Sequence, residues 1–215
     1  HHTDVRDRRG GGIAGTIQAL VDSGEPVLVA CAHAHLRAKH LQDRLGGFAL
    51  TSHAALERDP QLATRYAHLV VLDPPPAAQT AGAPGPMVHL AYGEPEVSFA
   101  VSIHERERDL RAPLTAIYRA LRDREAAAGE ELEAALREGD PQRSPAQAGR
   151  ALRVLAELGL VTLDRERQSV MVPEAERTEL DRSAAFRAYS ARSEDGRRFL
   201  ISSTPTAAAT VTAAA

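Results

Sequence analysis

The apolar positions follow one pattern in the first half of the chain and another in the second. Up to about residue 103, short apolar runs without polar alternation recur, as in VLVACA at 27–32, HLVVLD at 68–73 and MVHLAY at 87–92. Such runs are typical of strands covered on both faces. Helix-like segments lie between them, as at residues 13–24. The alternation predicts an α/β fold with an open, mostly parallel sheet of the Rossmann or helicase kind.

Beyond about residue 104 the chain becomes rich in arginine and glutamate, with helical spacing of its apolar residues. Ser144, followed by Pro145 and Gln147, predicts a capping box that begins a helix over 145–158. The segment LVTLDRERQSVMVP alternates around a charged turn and predicts a β-hairpin. Together, helix, glycine and hairpin predict a helical, winged-helix-like subdomain. An earlier apolar stripe predicts another helix in this half, formed by Leu114, Ile117, Tyr118 and Leu121.

These patterns divide the chain into four parts. Residues 1–12 are polar and glycine-rich, which predicts a flexible leading segment. Residues 13–103 form the α/β subdomain, and residues 104–203 form the helical subdomain with its hairpin. Residues 204–215, TPTAAATVTAAA, lack charge and pattern and predict a disordered tail.

Composition narrows the class of protein. The chain is 43% hydrophobic, which is enough for a packed core, and no apolar run is long enough to span a membrane. The single cysteine, Cys31, excludes an internal disulfide. The formal net charge of -3 gives no overall attraction to nucleic acid, so anion recognition has to be local. We expect a cytoplasmic protein without membrane contact.

Candidate catalytic and ligand-binding motifs are weak. The stretch GGGIAGT lacks the lysine of a phosphate loop and precedes the first predicted strand. Asp73 ends a predicted strand, where a structural role is favoured over ligand binding. The histidines His33, His35 and His40 lack the spacing of a zinc site. We therefore predict no catalytic residues, metal site or cofactor in this chain.

Arginines beside apolar residues are the remaining chemical signal. An arginine next to an apolar notch can hold the terminal carboxylate of a peptide while the notch takes its last side chain. The alternative is that these arginines only solvate helix faces. The candidate residues are Arg119 and Arg122 beside Tyr118, Arg150 and Arg153 beside Leu152, and Arg187 near Phe186 and Tyr189.

Four segments, read in order, resemble a known family. They are DVRDRRGGG, LVVLDPPP, PLTAIYRALR followed by ALRVLAELGLV, and LDRSAAFRAY. Together they are similar to the C-terminal domain of the RecJ single-strand-specific exonucleases, which belong to the DHH phosphoesterases. One departure is Leu155, where the family has an aromatic residue. The DHH signature and the metal-binding aspartates of the family's catalytic core have no counterpart here.

The resemblance implies an accessory protein-interaction domain of a 5′-3′ exonuclease. Its expected partner is the acidic C-terminal tail of single-stranded DNA-binding protein, with a DNA helicase or translocase as a further partner. Arg150 and Arg153 are the leading contacts, followed by Arg119, Arg122 and Arg187. The parent enzyme's Mn²⁺ or Mg²⁺ would belong to its catalytic core.

A second interpretation is a winged-helix module that binds nucleic acid directly. Arg150 and Arg153 would lie on its helix, with Arg165 and Arg167 on its wing. Acidic residues interrupt this basic surface, namely Glu157, Asp164 and Glu166. Weak nucleic-acid contact is therefore the less favoured function.

Overall fold

The computed structural model describes residues 4–41, 46–78, 85–139 and 142–204. Contacts divide the chain into two units. Unit 1 comprises His1–His104 with Gly196–Ala215, and unit 2 comprises Glu105–Asp195. Residues from Gly196 on, which we expected to continue the second subdomain up to 203, thus belong with the first. No helix in the described ranges is both long and apolar enough to cross a membrane.

Unit 1 is built on a five-stranded sheet in which every pairing is parallel. The strand order is β1-β5-β4-β2-β3. The two central strands β2 and β4 are buried along their whole length, which explains their apolar runs. The prediction of an α/β fold with a parallel sheet is confirmed. The strands are β1 (Val5–Asp7), β2 (Val27–Cys31), β3 (Ala49–Ser52), β4 (His68–Val71) and β5 (Met87–Leu90).

Helices cover this sheet. Ile17 and Leu20 of the first helix pack with Val29 and Val70 of the central strands. That helix stops at a turn in which the N–H of Gly24, at a φ of 77°, donates to the carbonyl of Val21. The helices are α1 (Ile13–Val21), α2 (Ala34–Leu41), α3 (His53–Arg58) and α4 (Glu94–Arg108), with a 3-10 helix at Pro60–Arg65.

The structure of the leading segment differs from the prediction. Residues 1–12 were expected to be flexible, yet Val5–Asp7 form strand β1 at the edge of the sheet, parallel to β5. All three residues are exposed, so the strand carries no apolar pattern. Its formation depends on backbone pairing with β5, which local sequence does not reveal.

Unit 2 has the order helix, strand, helix, helix, strand, strand, followed by a 3-10 helix and a last α-helix. Its three short strands form an antiparallel sheet in the order β6-β8-β7. Leu114, Ile117 and Leu121 are buried in one core, as their stripe predicted, and Val154 and Leu155 belong to the same core. The elements are α5 (Arg111–Arg122), β6 (Ala126–Ala128), α6 (Gly129–Arg137), α7 (Pro145–Glu157), β7 (Thr162–Asp164), β8 (Ser169–Met171) and α8 (Ala184–Ser202), with a 3-10 helix at Leu180–Arg182.

Two local features of unit 2 differ from expectation. Strand β6 lies in a stretch for which only helices were expected, after a turn in which Glu125 has a φ of 59°. Only one of the two hydrogen bonds of the predicted capping box forms at the start of α7. Ser144 Oγ accepts the N–H of Gln147 at 3.1 Å. The Gln147 side chain, however, donates to the carbonyls of Arg106 at 2.6 Å and Asp109 at 3.3 Å.

Some predictions fall outside the described residues. The predicted tail does so from residue 205 onward, as do residues 1–3 of the leading segment. The same holds for residues 42–45 and 79–84 of the predicted α/β subdomain and for residues 140–141 of the predicted helical subdomain.

Candidate functional site

Two of the candidate arginines lie on the same side of α7, because Arg150 and Arg153 are three residues apart. Tyr189, which α8 contributes, lies close enough to interact with both guanidinium groups. Glu157 follows Arg153 by one helical turn. We call these four residues, Arg150, Arg153, Glu157 and Tyr189, the arginine face.

Arg153 is the exposed member of the arginine face. Its side chain is 67% exposed, and its Nε donates to Glu157 Oε1 at 3.3 Å. The hydrogen bond to Glu157, with a further contribution from Tyr189, raises the pKa of Arg153. The guanidinium is therefore charged and accessible, and Glu157 holds it in place.

Glu157 is fixed from its other side by the start of α8. Its Oε2 accepts hydrogen bonds from the backbone N–H of Ala185 at 2.9 Å and from Ser183 Oγ at 2.8 Å. These bonds, with that from Arg153, hold the pKa of Glu157 below its ordinary value. The carboxylate thus links α7 to α8 and orients Arg153 beside Tyr189.

Arg150 is largely buried, with 17% of its side chain exposed. Its Nη2 donates to the carbonyl of Glu107 at 2.5 Å and lies 3.9 Å from the Glu107 carboxylate. Its Nε is buried without a hydrogen-bond partner among the described residues. Burial, with the nearby charge of Arg108, lowers the pKa of Arg150. Arg150 therefore has mainly a structural role, in which it links α7 to Glu107.

The other candidate residues lie outside the arginine face. Arg119 and Arg122 are exposed in the last turn of α5, where positive charge complements the helix dipole. Arg187 is exposed and donates to the carbonyl of Asp181. Tyr118 and Leu152 pack against the core of unit 2. In the described parts of the chain, no hydrogen bond or ion pair joins these residues to Arg150 or Arg153.

A recess of about 330 Å³ opens elsewhere in unit 2, and no residue of the arginine face lines it. It lies between α6, α7 and the turn joining β7 to β8, and we call it the α6–α7 recess. Its apolar lining comes from Leu132, Leu136, Pro145, Ala148 and Gly149. The sequence analysis did not predict it, because the two helices that form it meet only in the folded unit.

In unit 1, the usual binding crevice of a parallel sheet is filled by an ion pair. Ligands of open α/β sheets bind where neighbouring strands connect in opposite directions, here between β2 and β4. The fully buried Asp73 carboxylate accepts the N–H of Ala32 at 2.9 Å and the guanidinium of Arg37 there. Arg37 also lies over the ring of Phe99, 3.9 Å from its centroid.

The glycine-rich stretch requires a correction. It was expected to precede the first strand, whereas Gly10–Gly12 lie between β1 and α1. No side chain of the described chain caps this end of α1. Asp7 pairs instead with Arg9 at 2.6 Å, and this pairing lowers the pKa of Asp7 to about 2. The loop still lacks a lysine that could reach a phosphate.

The histidines form no metal centre that the structure describes. His35 and His40 are exposed on α2, and His33 Nδ1 accepts the N–H of Leu36 at 3.3 Å. Throughout the described ranges, no group of three or more histidine, cysteine or acidic residues could hold a metal ion.

A buried histidine pair went unnoticed in the sequence. His89 Nε2 lies 3.2 Å from His68 Nδ1, and His68 Nε2 lies 2.8 Å from Glu25 Oε2. Burial lowers the pKa of His89 to about 4, with a smaller contribution from Arg8. The alternation of His89 with apolar neighbours in β5 was the only signal, and it is not specific.

No family model matches the chain, and neither does any curated protein or solved structure.

Proposed function

We propose that the chain is an accessory protein-interaction domain whose arginine face binds the acidic C-terminal tail of single-stranded DNA-binding protein. The observation that carries this proposal is Arg153, charged, 67% exposed and held by Glu157 beside Tyr189. Binding would recruit a RecJ-like exonuclease to its DNA substrate. The four-segment resemblance to the C-terminal domain of that family supports the choice of partner.

The chemistry of the arginine face suits such a peptide. A terminal carboxylate and neighbouring aspartates accept charge-assisted hydrogen bonds, and a guanidinium offers several donors in one plane. Because Glu157 already holds Arg153, less side-chain freedom is lost when the peptide binds. Tyr189 adds an aromatic surface and a hydroxyl group beside the charge.

Arg150 has a supporting part in this proposal. Its side chain contacts Glu107 and is only 17% exposed. Arg150 therefore adds positive charge on the same side of α7 as Arg153 but is less accessible to a peptide. Arg119, Arg122 and Arg187 add positive charge at other exposed positions of unit 2 and would raise the association rate with an acidic tail.

The nuclease chemistry is assigned by the resemblance to a DHH catalytic region with Mn²⁺ or Mg²⁺. Among the described residues, no group of three or more histidine, cysteine or acidic residues could hold such metal ions. A DNA helicase or translocase remains a proposed further partner, for which the resemblance is the support.

Fluorescence anisotropy with a labelled acidic peptide tests the proposal. Arg153→Glu should weaken binding roughly ten- to a hundredfold, because one charge-assisted contact contributes about 1.5–3 kcal/mol. Arg6→Ala removes an exposed arginine from β1 of unit 1 and should leave the affinity unchanged. The peptide should carry several aspartates and end in phenylalanine with a free carboxylate.

Two results would contradict the proposal at different levels. Equal affinities of the wild type and the Arg150→Ala, Arg153→Ala double variant would remove the arginine face as the site. An absence of binding by the wild type at tens of micromolar peptide would remove the function.

Direct nucleic-acid binding is the second candidate. The element order of unit 2 and its β6-β8-β7 sheet favour a winged-helix-like module, with α7 as the recognition helix. The turn between β7 and β8 carries Arg165 and Arg167, although Arg167 lies 3.7 Å from the Asp164 carboxylate. A steep decline of affinity with salt would favour this function over a peptide site.

A further inference from the structure

Two histidines of unit 1, His68 and His89, form a buried pair on one face of the parallel sheet. His68 begins β4, and His89 lies in β5 opposite Val70. Paired residues of neighbouring strands project to the same face, and Val70 packs there with Ile17 and Leu20 of α1. The ring centroids are 5.1 Å apart, and His89 is only 1% exposed. The pair is therefore part of the interior beneath α1.

The hydrogen bonds of the pair determine where its hydrogens lie. The Glu25 carboxylate can only accept, so His68 Nε2, which lies 2.8 Å from Glu25 Oε2, carries a hydrogen. Nδ1 of the neutral His68 ring then accepts from His89 Nε2 at 3.2 Å. Nδ1 of the neutral His89 ring is left without a hydrogen. This atom is buried and has no hydrogen-bond partner among the described residues.

A further proton is poorly accommodated in this arrangement. If the proton binds to His89, it occupies Nδ1. If it binds to His68 Nδ1, that nitrogen becomes the donor between the rings, and the hydrogen of His89 has to lie on Nδ1 because Nε2 now accepts. In both cases His89 Nδ1 becomes a buried donor with no acceptor in the described parts of the chain. The pair also gains a positive charge in a buried place.

The neighbouring charges of β1 act against this proton as well. Arg6 is the register partner of His89, and Arg8 and Arg6 both disfavour a positive charge on that ring. The other ring of the pair acts in the same direction, whereas Asp4 has a smaller, opposite effect. Glu25 contacts the far nitrogen of the other ring, and α1 brings apolar side chains to this face. Burial, followed by Arg8, lowers the pKa of His89 to about 4.

Strand β1 is attached to the sheet mainly through its backbone. All three of its residues are exposed, so little apolar surface would be uncovered by its release. Its hydrogen bonds to β5 include Val88 N–H to the Asp4 carbonyl at 2.9 Å and Arg8 N–H to the Leu90 carbonyl at 2.8 Å. Without β1, its arginines would lie farther from His89, and water at the open edge of β5 could reach the ring.

We propose that the histidine pair makes the pairing of β1 with β5 depend on pH, because an added proton favours release of β1 from the sheet. The inference concerns unit 1 and does not depend on the arginine face. Release lets the pKa of His89 return from about 4 toward the value near 6.5 of a solvated histidine. The released state therefore binds more protons between these values. Its population should rise about tenfold from pH 7.5 to 5.5.

Hydrogen exchange of the full chain, followed residue by residue with NMR, tests this proposal. The N–H groups of Arg8 and Val88 report on the pairing of β1 with β5. The N–H of Leu72 donates to the carbonyl of Ala30 at 2.8 Å and reports on opening of the sheet centre. After correction for intrinsic exchange, Arg8 and Val88 should be less protected than Leu72. Their protection should fall about tenfold from pH 7.5 to 5.5.

Two leucine substitutions separate the pair from other histidines. In His89→Leu, protection of the Arg8 and Val88 amides should become nearly independent of pH, because the titrating ring is gone. His40→Leu removes an exposed histidine of α2 and should keep the wild-type decrease. An equal decrease in folded His89→Leu and in wild type would overturn the inference. The same conclusion would follow if wild-type protection did not change with pH, or if Arg8 and Val88 were protected as strongly as Leu72.

NMR of the imidazole nitrogens in the wild-type chain gives a readout that does not depend on a variant. At about pH 7.5, the nitrogen shifts should show a neutral His89 ring with its hydrogen on Nε2 and none on Nδ1. A hydrogen on His89 Nδ1 at this pH would overturn the inference, because the closed sheet would then accommodate the state that is expected to release β1.

Discussion

The two units use arginine in opposite ways. In unit 1, Arg37 lies between the buried carboxylate of Asp73 and the ring of Phe99 and fills the crevice of the sheet. In unit 2, Arg153 is held by Glu157 but its side chain remains 67% exposed. The same residue type is part of the interior in one unit and available to a partner in the other. Burial of the carboxylate partner decides which role applies.

The glycines of two helices show the same contrast. Gly196, in the part of α8 that belongs to unit 1, is where a Cβ would lie 2.5 Å from the His104 ring. At Gly149 of unit 2, nothing in the described chain lies within 4 Å of that position. One glycine permits a close internal contact, and the other leaves a surface open.

The largest expected effect concerns the filled crevice. Arg37→Ala should destabilise the protein by about 3–5 kcal/mol, because it leaves the fully buried Asp73 carboxylate without its countercharge. Denaturant unfolding measures the change. Arg9→Ala is the control, since it breaks an exposed pair with Asp7 and should cost less than about 1 kcal/mol. Equal midpoints for the two variants would contradict the stabilising role of Arg37 in the crevice of unit 1.

The helix glycines sharpen the comparison with a smaller effect. Gly196→Ala should destabilise by about 1–3 kcal/mol, because the added methyl group overlaps the His104 ring. Gly149→Ala should instead stabilise by about 0.5–1 kcal/mol through its better helix propensity. Thermal unfolding of both variants checks the opposite signs. A stabilising Gly196→Ala would mean that α8 does not need this close contact.

The smallest effect comes from the buried histidine pair of unit 1. The pKa of His89 is lowered to about 4 in the fold, whereas in the unfolded chain it is near 6.5. The unfolded chain therefore binds more protons between these values, and stability should fall by about 1 kcal/mol as the pH drops from 6.5 to 5.5. His89→Leu should show a shallower decline over this range when unfolding is measured at several pH values. An unchanged slope would assign the acid sensitivity to other groups.

Local sequence determined a large part of the fold. The uninterrupted apolar runs of β2 and β4 identified a sheet covered on both faces, because burial on two sides excludes polar alternation. The stripe of Leu114, Ile117 and Leu121 identified α5, and the cap at Ser144 identified α7. Each signal could be recognised because its own residues lie within a few positions of one another. Arg150 and Arg153 could be grouped for the same reason.

Only the tertiary structure decided the rest, because the residues concerned meet across long stretches of chain. Strand β1 exists through its pairing with β5, and Asp73 takes its structural role from Arg37, an interaction between residues far apart in sequence. The sequence ranked Arg150 and Arg153 together, but their side chains differ in exposure. Arg150, at 17%, is largely buried against Glu107, whereas Arg153, at 67%, is accessible. The α6–α7 recess has no local sequence signal, since it forms only when two helices fold beside one another.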